Sequence, residues 1–373
     1  MRLGGRKSET KVQFTFETKR EYFRHEWKRA RGKVFSYLWF KFKWNYFPKL
    51  KIVPRFPLNI DIEASSVCDL VCDHCFRQYM DMKENEHMSF DMYKKIIDEC
   101  GQYKLFTLKF SMRGEPTLNR KLPEMVAYAK DRGVKEVWIN THVGRMTDKF
   151  AEDLMKARPD WVTVSFDGLG QMYESIRKPL KYEESIAKLK LLRKYRDQHS
   201  PGTMLNVQTL WSAIKHDPQA YIDVMRPIVD RIAYNSDMNF KEIMLVPDDE
   251  FICPRLWLRL AITSKGDFLK CPSDFEKEEV MANVNDKTIK EVWDQEQDRN
   301  RRRHLAFRKK ESIVCQKCHH GAKKVPRVVT VGDVDYSDGF NYAFEKDFSG
   351  VGLNRSKDEK PAVAGESELK VLN

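Results

Sequence analysis

The sequence predicts an α/β fold, because strand-like and helix-like segments alternate along much of the chain. Between Pro57 and about residue 249, short apolar runs typical of strands are separated by amphipathic patterns typical of helices. This alternation favours a parallel sheet whose strands are joined by crossover helices. At 373 residues the chain is also long enough for two or three domains.

Composition and cysteine spacing divide the chain into four segments. We distinguish a basic, aromatic N-terminal extension (1–56), an α/β domain (57–250), a cysteine-rich domain (251–325) and a C-terminal tail (326–373). The tail loses periodicity, and its last twenty residues are polar and charged without aromatics, which predicts partial disorder.

The extension holds the whole net positive charge of the chain. Residues 1–56 contain 16 Lys or Arg and 4 Glu, whereas the remainder carries 51 basic and 51 acidic residues. Aromatic side chains are interleaved with lysines from Phe35 to Phe47. A helix packed on the main domain with its lysines in water suits this pattern, and so does a segment lying on an anionic membrane surface. No nucleic-acid partner is expected, because no nucleic-acid motif accompanies the charge.

Targeting signals and membrane spans are not evident in the sequence. No opening stretch has the pattern of a secretory signal, and no run reaches the ~18 apolar residues of a transmembrane helix. We therefore expect a cytoplasmic protein, with contact at a membrane surface left open. In that compartment the eight cysteines are better interpreted as ligands than as disulfides.

Six strands and several helices are predicted in the α/β domain. The strands are 58–62, 105–110, 136–140, 161–166, 205–209 and 242–246, and the helices include 90–100, 122–132, 148–156 and 184–195. Six such units suit an open doubly wound sheet or most of a barrel. Both arrangements place functional residues at the carboxyl ends of the strands.

Three cysteines follow the first predicted strand within eight residues: Cys68, Cys72 and Cys75. Three thiolates can converge on one metal centre, but a closed zinc site or a fully ligated cluster normally uses four protein ligands. An iron without a protein ligand can hold a substrate or cofactor, so the spacing favours a reactive cluster. Half of a zinc ribbon is the alternative.

Polar residues also follow the next three predicted strands. They are Arg113, Gly114, Glu115 and Pro116 after the second strand, Asn140 and Thr141 at the third, and Ser165 and Asp167 at the fourth. Their shared position at consecutive strand ends predicts one site.

With the Cys-x3-Cys-x2-Cys spacing of Cys68, Cys72 and Cys75, residues 59–246 resemble the radical S-adenosylmethionine (SAM) enzymes. The resemblance implies a partial (β/α)6 TIM-type barrel. It also implies a [4Fe-4S] cluster held by the three cysteines, whose fourth iron is chelated by the amino and carboxylate groups of SAM.

The same resemblance implies a set of SAM contacts. Gly114 and Glu115 match a Gly-Gly-Glu motif that takes the methionyl amino group, with Arg113 in place of the first glycine. A carboxylate for the ammonium and an arginine for the carboxylate, here Glu115 and Arg177, suit this zwitterion. The full set is His74, whose backbone would lie near the adenine, Gly114, Glu115, Thr141, Ser165, Asp167 and Arg177.

A second group of cysteines lies in the cysteine-rich domain: Cys253, Cys271, Cys315 and Cys318. The Cys-x12-Gly-x4-Cys spacing predicts a hairpin, with strands at 256–262 and 268–270 and a helix at 289–294 before the last two cysteines. In isolation, four cysteines suggest zinc. Beside the first group, the pattern resembles the twitch domain, a shortened SPASM domain, which implies one auxiliary [4Fe-4S] cluster. The remaining Cys100 is expected to be a small buried side chain.

These features predict a radical SAM oxidoreductase. We expect a 5′-deoxyadenosyl radical to abstract hydrogen from a sugar, nucleotide sugar or aminocyclitol, with oxidation through the auxiliary cluster or a related epimerisation or deoxygenation. This chemistry is similar to that of aminocyclitol dehydrogenases and sulfatase-maturing enzymes. An electron donor such as flavodoxin or ferredoxin is implied.

Two alternatives stay open. One is a peptide-modifying maturase, although residues 1–56 show no evident winged-helix leader-peptide domain. The other is a non-enzymatic zinc-binding protein. No catalytic base is assigned, because Asp248, Asp249 and Glu250, where the two domains meet, suit a solvated turn as well as a base.

Overall fold

In the computed structural model of the chain, the described residues are 13–81, 84–235, 248, 250–322, 324–331 and 334–342. Ten strands in this part of the chain form one sheet in the order β1-β7-β6-β5-β4-β3-β2-β8-β9-β10. These strands are β1 (Gln13–Thr15), β2 (Asn59–Ile62), β3 (Thr107–Phe110), β4 (Glu136–Thr141), β5 (Trp161–Ser165), β6 (Met204–Leu210), β7 (Arg231–Asn235), β8 (Arg259–Ile262), β9 (Asp267–Leu269) and β10 (Val280–Asn283).

Strands β2 to β7 are parallel neighbours and form a partial (β/α)6 barrel, which confirms the predicted fold class. The helices of this part are α3 (Phe90–Gln102), α4 (Leu122–Asp131), α5 (Asp148–Lys156), α6 (Gly170–Ile176), α7 (Tyr182–His199) and α8 (Pro218–Met225). Side-chain hydroxyls of Ser89, Thr147 and the Asp217 carboxylate cap three of them at their N-termini.

The sixth barrel strand differs from the prediction. It is β7, which follows α8, and it was missed because only three apolar residues stand between its polar ends Arg231 and Asn235. The predicted strand at 242–246 lies outside the described residues.

The main core lies between the strands and their helices. Alternate strand residues such as Ile60, Leu108 and Val137 pack against helix residues in one buried cluster. Cys100 belongs to this cluster and is fully buried, as predicted.

The N-terminal extension closes the floor of the barrel, where the strands begin. Strand β1 pairs antiparallel with β7, and helices α1 (Lys19–Ala30) and α2 (Val34–Leu50) follow it. Tyr37 and Phe40 of α2 pack on Leu58, Phe106 and Leu258, each of which immediately precedes a strand. The prediction of a helix packed on the main domain is therefore confirmed for the face of α2 that carries Tyr37 and Phe40.

An arginine from α1 enters the barrel floor. Arg29 Nη2 donates to Glu136 Oε2 at 2.8 Å, and the guanidinium lies 5.2 Å from the centre of the Trp138 ring. Both Arg29 and Glu136 have at most 15% of their side chains exposed, so the pair is buried. The extension is thus part of the barrel structure.

The cysteine-rich domain continues the barrel sheet. Strand β8 pairs in parallel with β2, and β9 and β10 follow it antiparallel. The predicted helix at 289–294 is longer: α9 (Ile289–Glu291), a π-helical segment (Val292–Glu296) and α10 (Gln297–Leu305) run on from one another, before α11 (Ile313–Gln316).

Part of the segment predicted as a tail forms a hairpin of two antiparallel strands, β11 (Lys324–Val331) and β12 (Val334–Tyr342). Its valine-rich first strand explains the pairing, since β-branched residues favour strands. The last twenty residues lie outside the described part of the chain. Within that part, every helix is too short or too polar to cross a membrane.

Candidate active site

The first cysteine group lies in the loop after β2, at the carboxyl end of the barrel. Cys72 is buried, whereas Cys68 and Cys75 are half-buried, and the Cys75 N–H donates to Cys72 O at 3.0 Å. Burial raises the pKa of Cys72 to about 11 against the opposing charge of Arg177. Thiols this basic lose their protons readily only to a bound metal. Three thiols in a partly open loop therefore fit a cluster that keeps one iron for another ligand.

The loop after β3 is locked against the cysteine loop through Gly114 and Glu115. The Glu115 N–H donates to Val67 O at 2.7 Å. A Cβ on Gly114 would lie only 2.2 Å from Ser65 O, so only glycine permits this approach. The positive φ of the loop falls on Met112 (118°), and Arg113 is not among the residues with positive φ.

The carboxylate of Glu115 is buried and held by neighbouring strand ends. Thr141 Oγ1 donates to Glu115 Oε1 at 2.6 Å, and the His142 N–H donates to Oε2 at 3.0 Å. Thr117 Oγ1 adds a third hydrogen bond at 2.6 Å. This arrangement fixes one negative charge beside Cys68, where a ligand ammonium group can be bound.

Arg177 supplies the opposite charge. Its Nε donates to Asp167 Oδ2 at 2.6 Å, and its Nη1 lies 4.0 Å from Cys72 Sγ. Burial would lower the pKa of Arg177, but Asp167 and Cys72 raise it. Asp167 is itself fixed by the Leu210 N–H at 2.8 Å. A guanidinium held in this way can bind a carboxylate next to the cysteines.

The structure thus brings Gly114, Glu115, Thr141, Asp167 and Arg177 around the first cysteine group. Ser165 ends β5 and is half-buried, whereas His74 is exposed within the cysteine loop.

His142 was not predicted as a site residue, yet it contacts the same loop. Its Nε2 lies 3.0 Å from Asp69 Oδ1, and its Nδ1 accepts from the Gly144 N–H at 2.9 Å. Burial would lower the pKa of His142, but Glu115, Asp69 and Cys68 raise it to about 10. The raised pKa favours the charged ring, whereas an Nδ1 that accepts the Gly144 N–H can carry no proton. The directed hydrogen bond decides for the neutral ring, with its proton on Nε2 toward Asp69.

This constellation joins three types of metal ligand. The ligand atoms of Cys68, Asp69 and His142 lie within 4.8 Å of one another. One signal was present in the sequence, the histidine after Thr141, but the contact to Asp69 spans 73 residues and depends on the fold.

The second cysteine group converges on one cavity. Cys253, Cys271, Cys315 and Cys318 all line the same cavity, which is partly open to solvent. Burial raises the pKa of Cys253 to about 11 and also raises that of Cys271. Four thiols around one space fit a fully ligated cluster.

Basic side chains surround this second group. Arg255, Lys270 and Lys309 line the same cavity and can offset the negative charge of bound thiolates. His304 lines it as well. His304 Nε2 lies 3.4 Å from Cys315 Sγ, while its Nδ1 is 3.5 Å from the Cys253 N–H. Burial, together with Lys270 and Lys309, lowers the pKa of His304 to about 4. The ring is therefore neutral and donates to the Cys315 sulfur, a contact that sequence spacing did not indicate.

A buried ionic network links the two cysteine regions. Arg113 Nε and Nη2 donate to both oxygens of Glu63 at 2.8 and 2.6 Å, and Arg113 also contacts Glu84. Glu63 Oε2 accepts from the Ser264 N–H of the cysteine-rich domain at 3.0 Å, and Lys277 of that domain contacts Glu84. The arginine that replaces a motif glycine thus connects the barrel to the second domain.

The barrel interior is polar. Strand residues that alternate with the core positions face inward, as the contact of Thr163 Oγ1 with Asn206 (3.3 Å) and the stacking of Trp138 on Trp161 (4.8 Å) show. The main inward-facing residues are Asp61, Lys109, Trp138, Asn140, Thr163, Ser165, Asn206 and Gln208.

Several of these polar groups are unsatisfied. Asp61 pairs with Arg259 at 3.1 Å, but Lys109 Nζ forms no hydrogen bond or ion pair with any described residue. Burial lowers the pKa of Lys109, although Asp61 opposes the shift. The buried Asn206 Oδ1 also has no partner within the described structure. Unpaired polar groups in a barrel interior indicate a polar ligand.

At the domain boundary, the acidic residues Asp248 and Glu250 form a turn. The Asp248 N–H donates to Gly321 O at 2.9 Å, and the Glu250 N–H donates to Asp248 Oδ1 at 3.2 Å. Glu250 is exposed, which favours the turn over a catalytic base, and Asp249 lies outside the described residues.

The geometry defines a class: a partial-barrel metalloprotein with a three-thiol site at the strand ends and a four-thiol site in an appended domain. The family described as "Radical SAM superfamily" matches residues 62–209, and the SPASM family, described as "Iron-sulfur cluster-binding domain", matches residues 253–319. Together the matches span more than half of the chain. The chain therefore carries a radical SAM domain followed by a SPASM-type iron-sulfur cluster-binding domain, and its cofactors are SAM and iron-sulfur clusters.

Curated relatives match over limited stretches. The Fe-coproporphyrin III synthase of Methanosarcina barkeri is 32% identical over 110 residues, which is 30% of this chain and 27% of that protein. A tungsten-containing aldehyde ferredoxin oxidoreductase cofactor-modifying protein of Pyrococcus furiosus is 30% identical over 140 residues, 34% of this chain and 39% of that protein. The chain thus spans well under half the length of these relatives.

Among solved structures, Streptococcus suis SuiB bound to S-adenosylmethionine superposes with a TM-score of 0.51 at 14% identity. The superposition covers 82% of this chain and 83% of SuiB. At this identity the similarity establishes the fold.

Proposed function

We propose that the chain is a radical SAM oxidoreductase that oxidises a polyhydroxylated small molecule: a sugar, a nucleotide sugar or an aminocyclitol. The observation that carries the proposal is the unpaired Lys109 in a polar barrel interior. Related epimerisation or deoxygenation would begin with the same hydrogen abstraction.

The barrel interior suits a small polar ring. Asn140, Ser165 and Asn206 offer hydrogen-bonding groups without partners among the described residues. The half-buried Trp138 adds an aromatic ring on the same side of the sheet. Hydroxyl and amino groups of a cyclitol or sugar would satisfy these groups, whereas an apolar side chain would leave them unpaired.

The cofactor residues follow from the site. Cys68, Cys72 and Cys75 would hold the reactive cluster, and Cys253, Cys271, Cys315 and Cys318 the auxiliary one. Glu115 would bind the methionyl ammonium and Arg177 the carboxylate of SAM, with Gly114, Thr141, Ser165, Asp167 and His74 completing the pocket. When bound, SAM and the clusters supply a 5′-deoxyadenosyl radical for hydrogen abstraction and an acceptor for the second electron.

Lys109 would accept the substrate proton. Oxidation of a secondary alcohol removes one hydrogen atom from carbon, one proton from oxygen and one electron, which leaves a ketone. In its neutral form, which burial favours, Lys109 Nζ can take that proton. We also propose a cytoplasmic location and a flavodoxin or ferredoxin as the external electron donor.

Deuterium transfer tests the substrate class. Reduced, reconstituted enzyme is incubated with ring-deuterated nucleotide sugars, sugars and cyclitols, and deuterium in 5′-deoxyadenosine is measured by mass spectrometry. We expect transfer from one of these small molecules. Transfer from peptides alone would establish the maturase alternative instead, and bound zinc without SAM cleavage would exclude enzymatic function.

Substitution of Lys109 tests the proposed proton acceptor. We expect Lys109→Met to retain deuterium transfer but to lose most of the ketone product, by roughly 100-fold. The exposed Lys149→Met is the matched control, since its side chain is 85% exposed on α5. Unchanged ketone formation in Lys109→Met would exclude this role.

A further inference from the structure

Helix α2 carries apolar side chains on two faces, and only one of them packs on the barrel. The opposite face presents Phe35, Leu38, Trp39, Phe42 and Tyr46, which are between 42% and 90% exposed. Their spacing of three or four residues places them in one stripe, roughly 17 Å long. We name these five residues the aromatic face.

The aromatic face is ordered by its own ring contacts. Trp39 and Phe42 stack with centroids 5.4 Å apart and an interplanar angle of 10°, and Phe42 and Tyr46 are 5.1 Å apart. Single exposed apolar residues are common on soluble proteins, but a continuous stripe of large side chains marks an interaction surface.

The charge around this face identifies the partner. No Asp or Glu occurs from Trp27 to Ile60, whereas nine Lys or Arg do. Lys43 Nζ lies 5.7 Å from the centre of the Trp39 ring, and Lys49 Nζ lies 5.8 Å from that of Tyr46. Cationic groups therefore border the rings themselves. A surface that is apolar at its centre and cationic at its edges complements an anionic lipid bilayer.

The residue types also suit a membrane interface. Tryptophan and tyrosine combine an apolar ring with a polar tip and are enriched where headgroups meet acyl chains. Lysines extend their charged ends toward headgroups while their stems stay in apolar surroundings. A nucleic acid would complement the charge but would leave Phe35, Leu38 and Phe42 without apolar partners.

We propose that the aromatic face of α2 docks the protein on the surface of an anionic membrane. The helix lies across the floor of the barrel, through its contacts with Leu58, Phe106 and Leu258. The cysteine loop is at the opposite, carboxyl end of the strands. Docking therefore leaves the entrance to the candidate active site directed away from the lipid.

Vesicle co-sedimentation of the full chain tests this proposal independently of catalysis. Vesicles of phosphatidylcholine with phosphatidylserine should bind the protein, and vesicles of phosphatidylcholine alone should bind it much more weakly. The double variant Trp39→Ala/Phe42→Ala should lower the affinity for anionic vesicles by about tenfold or more. Lys43→Glu/Lys49→Glu should lower it as well and should remove most of its salt dependence.

A matched control keeps the comparison specific. Leu305→Ala/Phe307→Ala removes two exposed apolar side chains from the second domain, and it should bind vesicles like the unchanged protein. Equal binding by Trp39→Ala/Phe42→Ala and this control would overturn the proposal. So would a change from dimer to monomer in Trp39→Ala/Phe42→Ala without lipid, because the face would then be a protein interface. Circular dichroism and iron content confirm that each variant is folded.

Discussion

Replacing Gly114 by alanine tests whether a backbone contact positions the first cysteine group. A Cβ at this position would lie 2.2 Å from Ser65 O and 2.6 Å from both Ser66 C and Val67 O. Comfortable contacts of this kind begin at roughly 3.4 Å, so one backbone must retreat by about 1 Å. All three neighbours are main-chain atoms, which no change of rotamer can move.

The expected effect has two parts. Overpacking of this kind costs ~1–3 kcal/mol of the free energy of unfolding. The displaced segment runs directly into Cys68, and a misplacement of ~1 Å at a reacting centre can cost roughly 100-fold in rate. We therefore expect Gly114→Ala to lose the first cluster, or to retain it with SAM cleavage reduced by roughly 100-fold. The four-cysteine site should be unaffected.

Chemical denaturation measures the first part, and anaerobic reconstitution followed by iron analysis and a SAM-cleavage assay measures the second. Iron should fall from about eight toward about four atoms per chain if the first cluster is lost. Gly202→Ala is the matched control, because a Cβ there meets no atom within 4 Å. If Gly114→Ala kept the full iron content and cleaved SAM at the rate of the control, the contact would have no part in positioning Cys68.

Three further substitutions test other parts of the structure. Arg29→Ala removes the shorter of the two cationic contacts of the buried Glu136, which keeps Lys33 Nζ at 3.4 Å, and should destabilise the fold by ~1–3 kcal/mol in chemical denaturation; adding Glu136→Gln should restore part of that loss. Burial would raise the pKa of Glu17, but its basic neighbours His25 and Arg231 lower it to about 2. This carboxylate therefore stabilises the fold above its unfolded pKa of about 4.5, and the stabilisation is lost as the pH falls toward 2. The unfolding free energy of Glu17→Gln should accordingly depend less on pH in that window, and an unchanged slope would contradict the assignment. Cys271→Ser should remove about four iron atoms per chain while leaving SAM cleavage intact, and loss of cleavage would show that the two sites are not independent.

Local spacing made the two groups of cysteines predictable. Cys68, Cys72 and Cys75 lie within one loop, so their convergence depends little on the rest of the fold. The four-cysteine site could be predicted because its hairpin and closing turn have their own short signals. Some strand boundaries within the barrel were also predicted correctly, since β4 and β5 begin at the predicted residues.

Contacts that depend on tertiary structure could not be predicted from the sequence. His142 reaches Asp69 across 73 residues, and Arg29 reaches Glu136 across 107. Lys109 stands out only when strand register shows that it faces inward beside Asp61. Alternation of polar and apolar residues along the strands was the available signal. It indicates two faces, but only the closed sheet shows which face lines the interior.

Arg113 shows how a departure from a family motif is accommodated by the surrounding structure. The Arg113 side chain at this motif position is only 3% exposed, and a buried guanidinium is costly unless its charge and donors are paired. Glu63 and Glu84 supply them, and Ser264 and Lys277 of the cysteine-rich domain bind those same carboxylates in turn. The loop that carries Gly114 and Glu115 is therefore held from both sides: by the cysteine loop through backbone contacts, and by the second domain through charge. Arg113, which departs from the family motif at one residue, thus holds the two cysteine sites in a fixed position relative to each other.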